Sequence, residues 1–202
     1  MKKILLILAM IAPVAHAAPA ALYAPQVSAD AALLRVVNAT SGTITATLPE
    51  IAALSVKTNE VSPYRVFQKG NQTLSVKVGN KTLKETLNME AGRYYTLAII
   101  GDDLKIFTDK TSHNMSKARI HVYNLTAEKS SIKTADGSLT LMNSLPAWGY
   151  DMLSVNPVKA SLGAFQSKLV GATPETQLQA NTAYSLFVFK SSVLWVQNSI
   201  QQ

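Results

Sequence analysis

Two stretches of this chain recur at a nearly constant distance, and that repetition restricts the fold more than any other feature. Residues 34–40 (LRVVNAT) resemble residues 120–126 (IHVYNLT), 86 positions further on. Residues 91–99 (AGRYYTLAI) resemble residues 180–188 (ANTAYSLFV), 89 positions further on. Two anchors at almost one offset predict a tandem duplication with a unit of about 85–90 residues, the size of a small sandwich of roughly seven strands.

The local patterns agree on strands. Leu74, Val76 and Val78 alternate with Ser75 and Lys77, which puts one face of a strand into a core. Gly79-Asn80 predicts a two-residue turn into a returning strand at 81–87, and residues 94–100 are rich in β-branched and aromatic side chains. Gly101-Asp102-Asp103 turns that strand into 104–107. In the second half Ile120 and Val122 point one way and Arg119, His121 and Tyr123 the other, which leaves His121 half exposed. Asp136-Gly137 predicts a type I′ hairpin between 131–135 and 138–142, and strands at 184–190 and 193–197 close the chain. Trp195, between Leu194 and Val196, belongs to the core. The fold class expected is all-β: two tandem antiparallel β-sandwich domains, at 18–110 and 118–202. The polar stretch 108–117, with Asp109, His113 and Asn114, provides the connection, and the linker proper is 111–117.

The N-terminus reads as an address. Lys2 and Lys3 precede the apolar run 4–12, and Ala15 and Ala17 form an A-x-A site, so residues 1–17 are expected to be a signal peptide cleaved after Ala17. The apolar run is about half the roughly 18 residues that cross a bilayer, and no later segment is long enough, so the mature chain should not span a membrane. Removing Lys2 and Lys3 takes the 19 basic residues to 17 against 12 acids, a net charge of +5. With no Lys/Arg run and an exported location, nucleic acid is excluded as a partner, while weak attraction to an anionic glycan stays open. There is no cysteine, which rules out disulfides, thiolate metal sites and thiol nucleophiles.

Reactive chemistry is scarce. His113 and His121 are the histidines of the mature chain, no H-x-H or H-x-x-H occurs, and no metal or other cofactor is expected. The sequence has no G-x-S-x-G elbow, no Gly-Asp-Ser near the mature N-terminus and no Asp-x-x-His near the end, so acyl-transfer catalysis is the least favoured reading. Asp102 and Asp103 are turn residues. Five Asn-x-Ser/Thr sequons begin at Asn38, Asn71, Asn80, Asn114 and Asn124; in the repeated pair, Asn38 and Asn124, Asn-x-Thr can make a local side-chain turn. The remaining resource is aromatic. Trp148 and Tyr150 flank Gly149 after Pro146, Tyr64-Arg65 follows Pro63, and Tyr23 precedes Pro25. Tyr64, Arg65, Trp148, Tyr150, Arg119 and His121 are the candidate partner or glycan contacts, since exposed aromatics serve both pyranose stacking and protein anchoring.

Several strings together resemble the AlgF family of periplasmic alginate O-acetylation proteins. They are Ala21-Leu22-Tyr23-Ala24-Pro25, Arg35-Val36-Val37-Asn38-Ala39, Tyr94-Tyr95-Thr96-Leu97, Val122-Tyr123-Asn124-Leu125, Lys133-Thr134-Ala135-Asp136-Gly137 and Asn156-Pro157-Val158-Lys159, collinear over the mature chain. The resemblance implies two sandwiches related to carbohydrate-binding modules. It also implies a non-catalytic periplasmic adaptor in exopolysaccharide O-acetylation, working beside SGNH-type acetyltransferases and a membrane-bound O-acyltransferase. The polymer implied is alginate, with cellulose as the alternative. Two other functions remain on the table: a carbohydrate-binding module that holds the polymer directly, and an O-acetyltransferase or esterase.

Overall fold

The computed structural model describes residues 27–49 and 51–201. The leader expected at 1–17, together with Tyr23 and Pro25, falls outside the described residues. No helix is present among the described residues, which form nineteen strands. The first half contributes β1 (Ala31–Asn38), β2 (Ile44–Thr47), β3 (Leu54–Val56), β4 (Tyr64–Gln68), β5 (Gly70–Val78), β6 (Lys81–Met89), β7 (Tyr94–Ile100) and β8 (Asp103–Asp109). The second contributes β9 (Ala118–Asn124), β10 (Ser130–Thr134), β11 (Thr140–Leu145), β12 (Tyr150–Val155), β13 (Lys159–Ala160), β14 (Leu162–Phe165), β15 (Leu169–Ala172), β16 (Thr176–Gln177), β17 (Ala183–Val188), β18 (Val193–Gln197) and β19 (Ile200–Gln201).

The duplication is visible in the strand orders. In the first half β4-β1-β7-β8 form one sheet and β3-β2-β5-β6 the other; in the second, β12-β9-β17-β18 and β11-β10-β14-β15 repeat the same arrangement. Pairing is antiparallel except at one place in each half and at the last strand. β1 runs parallel to β7 with Arg35 opposite Thr96, and β9 runs parallel to β17 with His121 opposite Ser185. These are the two segments that repeat in the sequence, so the offsets of 86 and 89 are the registers of equivalent strands. Local devices repeat too. Asn38 donates to the carbonyls of Gly42 and Val56 while its Oδ1 accepts from Thr40, and Asn124 makes the same bonds to Glu128, Leu145 and Thr126. Both asparagines are fully buried, so their Asn-x-Thr strings are turn devices. The hydroxyls of Tyr95 and Tyr184 each accept from the backbone five residues upstream, at Glu90 and Gln179.

Alternation of side chains then builds three cores instead of two. Leu34, Val36, Ile44, Leu74, Val76 and Leu97 fill the first sandwich, and Ile120, Val122, Ile132, Leu162 and Leu186 the second. A third cluster draws on both halves: Val37, Ala98 and Phe107 pack with Tyr123, Leu125, Phe187 and Phe189. β1 is buried at all eight positions because one face lies on its own sandwich and the other on this shared layer. Burying each of those aromatic rings stabilises the junction by about 2 kcal/mol. β19 leaves the second half altogether and pairs in parallel with β4, edging the first half's sheet.

Three expectations are corrected. Asp136-Gly137 does not make a two-residue turn: residues 135–139 connect β10 to β11, because the Asp136 carboxylate accepts from Thr134 and Ser138 and builds a wider loop. Asp109 is not linker but the last residue of β8, and it is buried. His121 is only 6% exposed, since the strand face read as solvent-facing lies against the other half.

Candidate site between the two sandwiches

The junction between the halves holds a polar cluster that the flanking apolar residues seal. Arg35 sits mid-strand in β1 between Leu34 and Val36, and the pleat sends its side chain across the shared layer. Only 1% of it is exposed. Its Nε donates to Thr96 Oγ1 at 3.0 Å, Nη1 to Asn198 Oδ1 at 3.0 Å, and Nη2 to both Tyr123 Oη and Ser185 Oγ at 2.8 Å. The guanidinium also lies 4.4 Å from the Tyr64 ring centre and 5.0 Å from that of Phe187. Asp109 supplies the countercharge without touching the arginine in a salt bridge. Its carboxylate accepts from Tyr64 at 2.6 Å, Tyr123 at 2.7 Å and Thr96 at 2.8 Å. Tyr123 and Thr96 therefore relay between cation and anion, each accepting from Arg35 and donating to Asp109.

Burial governs the electrostatics here. Burial acts against the Arg35 charge, and Tyr123, Tyr64 and Asp109 more than offset it, so the guanidinium stays protonated with its pKa raised. Burial lifts the Asp109 carboxyl above the usual carboxylate range, and Arg35, Tyr64, Tyr123 and Thr96 pull it partly back. Burial pushes the Tyr64, Tyr123 and Tyr150 phenols up, so all three are neutral donors at neutral pH. Burial, with Arg35 and Arg119 adding to it, drops His121 to about 3, which keeps the imidazole neutral. Its Nδ1 lies 2.9 Å from Tyr150 Oη, and the two ring planes are nearly parallel with centres 6.0 Å apart.

The repeat explains the asymmetry. Arg35 is equivalent to His121, Thr96 to Ser185 and Asp109 to Asn198, the last two pairs each 89 positions apart. One copy carries the charged set and the other its neutral counterparts, so the junction buries one Arg–Asp pair instead of two facing pairs. Arg35, Asp109 and Ser185 are not among the six candidate contacts that the sequence offers. A signal was available: an arginine inside the run Leu33-Leu34-Arg35-Val36-Val37 is buried on one face or the other, and a buried charge needs partners.

Beside the cluster a cleft of about 340 Å³ opens between the halves. Tyr64, Tyr94 and residues 110–112 line it from one side, Arg119, His121, residues 181–183 and residues 197–200 from the other. Of the six candidate contacts, the fold brings Tyr64, Arg119 and His121 to this cleft and sets Tyr150 directly behind His121. Trp148 and Arg65 are not in its lining. Trp148 is half-buried in a left-handed backbone conformation (φ 54°) and its N–H donates to Thr126. Arg65 lies on β4 opposite Gln201 of β19. Tyr150 is stacked on Tyr123 with ring centres 4.7 Å apart, and its hydroxyl accepts from the Lys110 N–H. Ser185, His121 and Asp109 share the junction, the residue types of an acyl-transfer triad, yet their bonds lead elsewhere. Ser185 donates to Asn198 and accepts from Arg35, His121 meets Tyr150, and Asp109 holds the two tyrosines and Thr96. Among the described residues no three His, Cys, Asp or Glu side chains gather as metal ligands.

Comparison with known proteins gives one family. The family model described as "Alginate O-acetyl transferase AlgF" matches residues 4–185. A protein of Pseudomonas putida, named alginate biosynthesis protein AlgF, is 29% identical over 185 residues, covering 89% of this chain and 84% of its own. The protein of the same name from Pseudomonas aeruginosa is 27% identical over 198 residues, covering 93% and 88%. A solved structure of the C-terminal domain of AlgF from P. aeruginosa is 28% identical, with a TM-score of 0.37, and covers 41% of this chain and 99% of that one.

Proposed function

Because the chain belongs to the AlgF family, we propose that it is a non-catalytic adaptor for the O-acetylation of an exopolysaccharide, alginate being the polymer that its relatives' names carry. It would work in the periplasm after loss of the leader, holding acetyltransferase components near the emerging polymer and so raising their effective concentration. The family is described as a transferase, and the hydrogen bonds at the junction argue for binding over chemistry. A serine nucleophile needs its base within hydrogen-bond reach and donors for an oxyanion, whereas the Ser185 hydroxyl is fully buried and engaged by Asn198 and Arg35. That engagement is the observation that carries the reading. The glycan-binding alternative is weakened for a similar reason, since Tyr64 is buried with Arg35 over its ring and one face of the half-buried Tyr150 is covered by Tyr123.

Deletion of the gene tests the reading. Polymer should still be made but without acetyl groups, and the purified mature protein should not turn over p-nitrophenyl acetate. Unchanged acetylation in the deletion strain would refute the adaptor role, and turnover would refute its non-catalytic character.

A further inference from the structure

The cleft between the sandwiches has a one-sided charge. Among the described residues, Lys110 and Arg119 line it and no aspartate or glutamate does. Arg119 is only partly spent: Nη1 donates to the Ser112 carbonyl at 2.9 Å and Nη2 to the Asn181 carbonyl at 3.0 Å, which uses one N–H on each nitrogen. Its Nε is buried without a hydrogen-bond partner among the described residues, and the two bonds to carbonyls leave one N–H on each Nη without a protein acceptor among them. Lys110 reaches Asp151 at 2.5 Å, but both side chains are about half exposed, and such a pair yields readily to a competing carboxylate. His121 adds no charge. The volume, about 340 Å³, suits one or two side chains.

We infer that this cleft is a docking site for an acidic segment of a partner protein, with a glutamate or aspartate carboxylate seated between Arg119 and Lys110. The inference rests on the adaptor reading for the occupant being a protein; its chemistry rests on the cleft. Sugar is the weaker occupant because Tyr64, which lines the cleft, is only 2% exposed and has Arg35 4.4 Å from its ring centre, so its ring offers no open platform for a pyranose. The excess of basic over acidic residues in the whole chain favours the approach of an acidic partner.

The test is a titration of 15N-labelled mature protein with the probe peptide acetyl-Gly-Glu-Glu-Glu-Glu-Gly-amide, with a short mannuronate oligosaccharide as the second arm. The peptide should shift the amides of Thr111, Ser112, Asn181 and Thr182 saturably, more weakly as salt is added. Arg119→Gln and Lys110→Gln should each weaken it by roughly tenfold, and Lys84→Gln on the far edge strand β6 should leave it unchanged. Lys110→Gln alters an exposed side chain and keeps the test valid should Arg119→Gln disturb folding. Absence of saturable shifts, equal weakening by Lys84→Gln, or tighter binding of the oligosaccharide at the same amides would each overturn the proposal. None of these outcomes touches the acetylation phenotype of the deletion strain, so the docking site can fail while the adaptor reading stands.

Discussion

Replacing Arg35 by methionine keeps the apolar stem and removes the charge from the junction. The variant loses four donated bonds, to Thr96, Asn198, Tyr123 and Ser185, and leaves Asp109 as a buried carboxylate with no cation near it. The hydroxyls of Thr96 and Tyr123 still donate to Asp109, so the neutral part of the network survives and the unbalanced charge dominates. Orphaning one member of a buried pair costs about 3–5 kcal/mol. Removing both charges in Arg35→Met/Asp109→Leu should cost at least about 2 kcal/mol less than the sum of the two single losses, because neither ion is then left alone. Acidity separates this from a packing defect. Without Arg35 the Asp109 pKa rises further, so protonation relieves the variant as pH falls, and its deficit should shrink between pH 7 and pH 5. Urea denaturation followed by tryptophan fluorescence, which reports on the second half through Trp148 and Trp195, and by far-UV circular dichroism, which reports on both, measures each quantity. A cost below about 1 kcal/mol for Arg35→Met, or additive losses in the double variant, would refute the reasoning.

Three further outcomes are expected. His121 is held near 3 against an ordinary 6.5, so its contribution is complete above pH 6.5 and is lost as pH falls toward 3; wild type should lose about 2 kcal/mol more than His121→Gln between pH 6.5 and 5, and parallel stability curves would contradict it. Asn38→Ala and Asn124→Ala each remove the same set of bonds from equivalent turns, and should each lower stability by about 2–3 kcal/mol in urea. Gly149→Ala would place a Cβ 2.7 Å from the Pro146 carbonyl oxygen, whereas Gly42→Ala meets nothing within 4 Å. The first should cost about 1–3 kcal/mol and the second under about 0.5, read as shifts in thermal midpoint.

Much of the fold was legible along the chain. Alternation located the strand at 74–78, richness in β-branched and aromatic residues the one at 94–100, and the strand read at 184–190 runs Ala183–Val188 in the structure; the recurring strings marked β1, β7, β9 and β17, the central strands of the two inner sheets. Strand existence and its buried face follow from a period of two, which is local. Where a turn is shaped by side-chain bonds, as at Asp136, local composition pointed to the turn but not to its length.

What lies across from each strand is not local, and the site depended on it. The outward face of β9 reads as polar, with Arg119, His121 and Tyr123, and polar faces normally meet water. It meets β1, β7 and β8 of the other half instead, because those strands carry the complementary set Arg35, Thr96 and Asp109. A pattern of residues states which side of a strand is polar; only the packing of one sandwich on the other decides whether water or an opposite charge satisfies it. Tyr64 shows the same division: its residue type made it a candidate contact, and the neighbourhood of Arg35 and Asp109, 29 and 45 positions away in sequence, turned it into a buried donor.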